Sequence, residues 1–305
     1  MGFPAAGTEA EFDALTRESL LPSVRELLGV LGHGEEVVPF EDGSLPVYAV
    51  GEKLVLKLFP PVHLGELATE TGVLQAVHGR LPIPTPGVEQ AGEHEGWGYV
   101  LMERLPGQTL SAAWPRLSTE DRRSLAPRLG EALAALHTVE APPGIGPASW
   151  PDFLAGQREN VLERHRATKL DEAWVEQIPG FLDSVDLGDP RPVLLHTEFM
   201  RDHIMVTEDD GRWRISGLFD FEPAMRGAAE YDFVGVGLFV SGGDKAFLGD
   251  LLRGYGSTPD KAFERRCLAY GLLHVYSNLR WWLSLLPSPP TPTLDALAAT
   301  WWAHS

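Results

Sequence analysis

One cysteine, Cys267, in 305 residues rules out an internal disulfide. That excludes a small disulfide-stapled secreted scaffold and fits a reducing compartment. No stretch approaches the ~18–20 consecutive apolar residues that a membrane-spanning helix needs. The N-terminus, Met1-Gly2-Phe3-Pro4-Ala5-Ala6, lacks a basic start followed by an apolar block, and Ala6 stands where a myristoylation signal wants Ser or Thr. Positive charge is scarce: 25 Lys and Arg face 43 Asp and Glu, a net charge of −18. Nucleic-acid binding draws on basic patches that release counterions, so a nucleic-acid partner is not expected. A phosphate-cradling G-x-x-x-x-G-K-[ST] loop is also missing, as are internal repeats and low-complexity segments. These absences predict a cytoplasmic protein with neither membrane nor nucleic acid as partner, and the acidic balance favours a cationic small molecule.

Hydrophobic residues make up 44% of the chain and charged ones 22%, as in ordinary globular proteins, and the length suits two lobes around a cleft. The apolar spacing of Leu15, Leu20, Val24, Leu27 and Leu28 predicts a helix over 9–31. Strands are expected over 37–58, with turns at Glu41-Asp42-Gly43-Ser44 and Gly51-Glu52; Lys53 to Phe59 alternates polar and apolar until Pro60-Pro61 ends it. A helix over 64–77 closes at Gly79, and Pro82, Pro84 and Pro86 lead into strands at 88–90 and 97–102. Met102 to Gly107 reads as the junction between a β-rich lobe, 1–105, and a helical lobe, 106–305. In the second lobe helices are expected over 119–139, near 150–166 and 171–185, and from Tyr231 onward. The fold class is therefore α+β with two lobes.

The segment from Leu194 to Val206 reads as an apolar strand, a polar turn and a second apolar strand; Ile215 to Phe219 follows as a third, ending at Asp220. Glu198 thus sits in a loop, and Asp220 at a strand end 22 residues later. Phosphoryl transfer from a nucleotide uses such a pair, one carboxylate near the attacking hydroxyl and one on the metal that bridges the phosphates.

At His196-Thr197-Glu198, His203 and Asp220 the chain resembles the aminoglycoside phosphotransferase family, which shares the protein-kinase fold and carries H-G-D-x-x-x-x-N as its catalytic loop. Glu198 and His203 stand where that loop has Asp and Asn; Asp220 matches the family's metal aspartate. The resemblance covers roughly 37–240 and implies a small, mainly β, nucleotide-binding lobe above a larger helical lobe. It implies that Lys57 contacts nucleotide phosphates and that Glu70, 13 residues later on the following helix, holds it, with Glu66 as the fallback. Asp42, Gly43 and Ser44 occupy the place of the phosphate-covering turn, and backbone groups of Glu103 and Leu105 would meet the purine of ATP or GTP. Glu198 would orient the substrate hydroxyl, Asp220 would hold Mg2+, and Asp232 would bond backbone. Thr197 is expected to need no positive φ, and His196 to pack and hydrogen-bond. For His203 three roles stay open: ligation of a softer ion such as Mn2+, contact with a phosphate, or no part in metal binding. Glu222, Asp152, Glu159, Glu163 and the terminal carboxylate of Ser305 are candidates for a cationic substrate, with Trp281 and Trp282 as an apolar wall. The function so implied is a kinase acting on a hydroxyl of an antibiotic, an aminoglycoside or another hydroxylated compound, with resistance as the outcome. A metabolite kinase for an amino alcohol or sugar and an inactive nucleotide-binding protein are the alternatives.

Overall fold

The computed structural model describes residues 2–304, so the carboxylate of Ser305 lies outside the described residues. Two short helices lead in, α1 (Glu9–Asp13) and α2 (Arg17–Val30), where the periodicity predicts one. Thr16 breaks them: its hydroxyl accepts from the Ser19 N–H and Ser19 returns a bond to the Thr16 N–H, a capping box that starts a new helix. Five antiparallel strands follow, β1 (Val37–Pro39), β2 (Val47–Val50), β3 (Leu54–Phe59), β4 (Val88–His94) and β5 (Trp97–Glu103), with α3 (Leu64–Val77) between β3 and β4. Their spatial order is β1-β2-β3-β5-β4, which puts β3 at the centre with Lys57 opposite Val47 and Val100.

Strand alternation sorts β3 between two cores. Leu56 and Leu58 face α2, where they pack with Leu20, Val24, Leu27 and Leu28. Phe59 faces the other way, joining Val73, Leu74 and Val77 of α3 in a core continuous with the helical lobe. Each such side chain contributes about 1.5–3 kcal/mol by burial. Lys57 shares the Phe59 face, its ammonium 5.5 Å from that ring, so the alternation that builds the sheet also aims one cation at the lobe interface.

Beyond β5 come β6 (Gln108–Thr109), α4 (Leu110–Ala113), α5 (Thr119–Thr138), α6 (Trp150–Ala167), α7 (Glu172–Val175) and α8 (Ile178–Asp183). The helix expected over 171–185 is two helices because Pro179 has no N–H to bond the carbonyl of Val175, where α7 stops. Strands β7 (Val193–Leu195), β8 (Ile204–Asp209), β9 (Arg212–Leu218) and β10 (Met225–Gly227) frame the polar segments; β7 pairs with β10, and β8 lies between β6 and β9. The chain then runs through α9 (Asp232–Gly235), a π-helical stretch (Val236–Ser241), α10 (Lys245–Tyr255), α11 (Phe263–Leu272), α12 (Leu279–Leu285) and α13 (Leu294–Trp301). No helix among the described residues is long and apolar enough to cross a membrane.

Candidate active site

Lys57 is only 4% exposed, and three carboxylates converge on its ammonium: Asp220 Oδ1 at 2.5 Å, Glu222 Oε2 at 2.6 Å and Glu70 Oε2 at 3.4 Å. Glu70 is the acid of α3 that reaches the strand lysine, while Glu66 pairs with His63 at 3.1 Å. Burial works against the Lys57 charge, but Asp220, Glu70 and Glu222 overrule it and hold the ammonium protonated well above its usual range. Burial likewise pushes the Asp220 carboxyl up; Lys57 and then His203 win, and Asp220 stays ionised far below the usual carboxylate range. One lysine cannot neutralise three acids. Burial, only partly offset by Lys57, pushes Glu222 up to about 10, so that acid holds a proton.

Two non-glycine residues take left-handed backbone here, Thr197 at φ 73° and Asp220 at φ 74°. The expectation that Thr197 needs no positive φ is therefore wrong. Two successive N–H groups of this loop point the same way, and the buried Asp232 accepts from both: Thr197 N–H to Oδ1 at 2.7 Å and His196 N–H to Oδ2 at 2.9 Å. Such non-glycine conformations cost about 1–3 kcal/mol and persist where surrounding contacts impose them. Oδ2 of Asp232 also meets His137 Nε2 at 2.9 Å, and His137 Nδ1 meets the Tyr255 hydroxyl at 2.8 Å, which ties the loop to α5 and α10. His196 donates from Nε2 to the Phe219 carbonyl at 3.0 Å, linking the loop to the strand end that carries Asp220; burial pushes its ring down to about 4, so it is neutral.

Glu198 and His203 complete the cluster. His203 Nε2 lies 3.0 Å from Asp220 Oδ2 and its Nδ1 2.9 Å from the Glu198 carbonyl oxygen. Burial raises the Glu198 carboxyl above its ordinary value against the pull of His203. Donor atoms of Glu198, His203 and Asp220 lie within 4.8 Å of one another, as do those of Glu70, Asp220 and Glu222. This donor set, with its excess of acid, suits a divalent cation.

Other candidates are placed elsewhere. Asp42, Gly43 and Ser44 form an exposed turn between β1 and β2, where the Arg17 guanidinium takes the Asp42 and Gly43 carbonyls at 3.2 and 2.5 Å. Glu103 turns its carboxylate to the Gly87 N–H at 3.1 Å, and the Leu105 side chain lies against Gly217. Both line an open groove of about 1220 Å³ with Lys53, His78 and Thr85, and no residue of the Lys57 cluster borders it. Asp152, Glu159 and Glu163 are exposed on α6 and none joins the cluster. Trp282 is 2% exposed and belongs to the core rather than to a substrate wall, whereas Trp281 is half exposed. Tyr276 escaped the sequence reading. It follows His274, which stacks on Tyr231 at 4.4 Å, and Val275, whose N–H bonds the Tyr231 hydroxyl at 3.0 Å. Tyr276 is 56% exposed; partial desolvation, followed by the charges of Glu198, Glu222, Glu66 and Asp220, pushes its phenol up to about 12. No local pattern marks it, because its neighbours come from distant segments.

A five-stranded lobe presenting a buried lysine to a helix glutamate, above a helical lobe presenting a loop acid and a strand-end aspartate, is a protein-kinase-like fold. The chain belongs to the phosphotransferase enzyme family, whose model matches residues 36–268. It is similar in structure to aminoglycoside 2'-phosphotransferase-IIIa in its GDP complex (TM-score 0.72, 17% identity, 88% of this chain and 95% of that one). It is also similar to the apo form of a thermostable mutant of aminoglycoside phosphotransferase APH(4)-Ia (TM-score 0.63, 20% identity, 89% and 97%). A third likeness is the streptomycin–ATP complex of APH(2")-IIa (TM-score 0.60, 16% identity, 80% and 86%). No curated protein matches in sequence.

Proposed function

We propose that this phosphotransferase is a cytoplasmic small-molecule kinase that moves the γ-phosphoryl group of ATP or GTP to a hydroxyl of a cationic or polyhydroxylated antibiotic, an aminoglycoside first, and so inactivates it. The carrying observation is the convergence of Lys57, Glu70, Glu198, His203, Asp220 and Glu222 from both lobes upon one place. The structural neighbours include a GDP, kanamycin complex and an ADP, hygromycin B complex of related folds, which supports a nucleotide and an aminoglycoside as the pair of ligands.

In this reading Lys57, held at the lobe interface by Glu70, exchanges Asp220 and Glu222 for nucleotide phosphates. A divalent ion held by Asp220 and His203 would neutralise charge on the transferring phosphoryl group when bound. Glu198 accepts the hydrogen bond of the acceptor hydroxyl and orients it for in-line attack. Its raised carboxyl is suited to proton transfer nearer neutral pH than an ordinary glutamate. Asp232 keeps the loop in its left-handed turn so that Glu198 is placed before substrate arrives. Glu222, a protonated carboxyl beside Lys57, and the ring of Tyr276 would give an amine-bearing substrate one hydrogen-bonding group and one aromatic surface.

Incubation with γ-labelled ATP and GTP over an antibiotic panel, with Mg2+ and with Mn2+, tests the reading. Phosphorylated antibiotic is expected. Nucleotide binding without transfer to any compound, amino alcohols and sugars included, favours an inactive nucleotide-binding protein instead.

A further inference from the structure

The carbonyl oxygen of Glu198 can only accept a hydrogen bond, so the 2.9 Å contact with His203 fixes a proton on Nδ1. Nε2 is then the atom left to face Asp220 Oδ2 at 3.0 Å. A ring lone pair and a carboxylate at that distance repel unless a positive centre lies between them. A metal ion between the two supplies it, and a Glu198 carboxylate oxygen lies within 4.8 Å of both donors. The ring has little freedom to turn away: it stacks on His196 at 5.8 Å and 22°, and meets Phe219 edge-on at 5.8 Å. A metal-binding imidazole is ordinarily held in this way, its other nitrogen donating to a carbonyl or carboxylate that sets the tautomer and the aim.

We infer that His203 ligates the phosphate-bridging metal through Nε2, beside Asp220, and that the site thereby selects a nitrogen-accepting first-row divalent ion, with Mn2+ preferred to Mg2+. The inference rests on the proposed nucleotide site. Mg2+ asks for oxygen ligands in a near-ideal octahedron, and an imidazole replaces one of them poorly; first-row transition ions accept imidazole beside carboxylate and phosphate oxygen. The Glu198 backbone carbonyl acts here as the outer partner of the metal ligand. Residue 198 therefore serves both halves of the site, its side chain facing the acceptor and its carbonyl aiming the ring.

The test is pulsed EPR of the 15N-histidine-labelled protein loaded with Mn2+ and a non-hydrolysable ATP analogue, together with Mg2+ competition. A 15N coupling of a directly bound imidazole is expected. It should vanish in His203→Asn, and the Mn2+-over-Mg2+ preference, measured against nucleotide alone, should fall by about 10–100-fold. His203→Gln serves if the first variant does not fold. Bound Mn2+ without histidine coupling overturns the inference, as does a coupling that survives both variants or a failure of Mn2+ to bind with the analogue. Transfer supported by Mg2+ with no histidine coupling leaves the kinase reading standing and removes this one; coupling without transfer to any acceptor does the reverse.

Discussion

Glu198 carries one methylene more than the aspartate of the loop it resembles, and the surrounding residues bear on how that extra length is used. The loop is pinned behind it by two N–H bonds to Asp232 and in front of it by the His203 ring on its own carbonyl. The backbone is therefore fixed, and the side chain alone spans the distance to an acceptor. A misplacement of ~1 Å costs ~10²-fold in rate, so a pinned loop is what makes the longer acid workable. Glu198→Gln keeps length and packing but removes the base. Transfer should fall by about 10²–10⁴-fold while the affinity for a non-hydrolysable nucleotide changes little. Single-turnover kinetics beside calorimetric nucleotide binding reads both; an unchanged transfer rate would dismiss Glu198 from the acceptor side.

Among the elements, α5 and α10 show how closely the helical lobe is built. A Cβ on Gly130 of α5 would collide with the Leu251 carbonyl oxygen and the Tyr255 nitrogen of α10, and one on Gly254 would strike the backbone of Pro127. Ala normally stabilises a helix interior by about 1 kcal/mol over Gly. Gly130→Ala should instead destabilise, by about 1–3 kcal/mol, because the obstacle is backbone that cannot swing aside. Gly156 on α6 meets nothing within 4 Å, so Gly156→Ala should show the ordinary gain. Opposite shifts of the two melting temperatures are the expected outcome, and a stabilised Gly130→Ala would mean that the two helices are free to separate. Neither glycine could be told from the other in the sequence, since helical periodicity reports the apolar face and not the distance to a neighbour. The alternation of Lys53 to Phe59 places Lys57 on one sheet face, and the spacing over 64–77 places Glu70 on the helix that covers it; both are local patterns. The break at Thr16 rests on one capping pair inside a continuous apolar rhythm. Thr197 was misread because a backbone torsion held by Asp232, 35 residues away, leaves no trace in the residue that adopts it. The part of Tyr276 depends on carboxylates from three separate segments: Glu66, Glu198, and Asp220 with Glu222.

Over the whole molecule, buried titratable groups limit stability from both sides of neutrality. Burial above all pushes His165, His196 and His274 each down to about 4 from 6.5. Between those values the unfolded chain binds protons that the folded chain refuses, so the histidine contribution is complete above about 6.5 and is lost as pH falls toward 4. Glu70, Glu198 and Glu222 act in the opposite sense. Their carboxyls are raised from 4.5 by burial, Glu222 to about 10, so the folded chain keeps protons that the unfolded chain has released. That contribution is complete below about 4.5 and, for Glu222, is lost as pH rises toward about 10. The two sets oppose one another up to about 6.5; above it only the acids remain, and each proton at stake is worth about 1.4 kcal/mol per pH unit. Without metal or nucleotide, the melting temperature should therefore fall between pH 6.5 and 9. In Glu222→Gln, which imitates the protonated acid in shape, the fall should be smaller and stability near pH 6.5 little changed. Thermal melts of both proteins in a metal chelator across that range decide it. A wild-type melting temperature that holds or rises toward pH 9 would mean that Glu222 is already ionised beside Lys57.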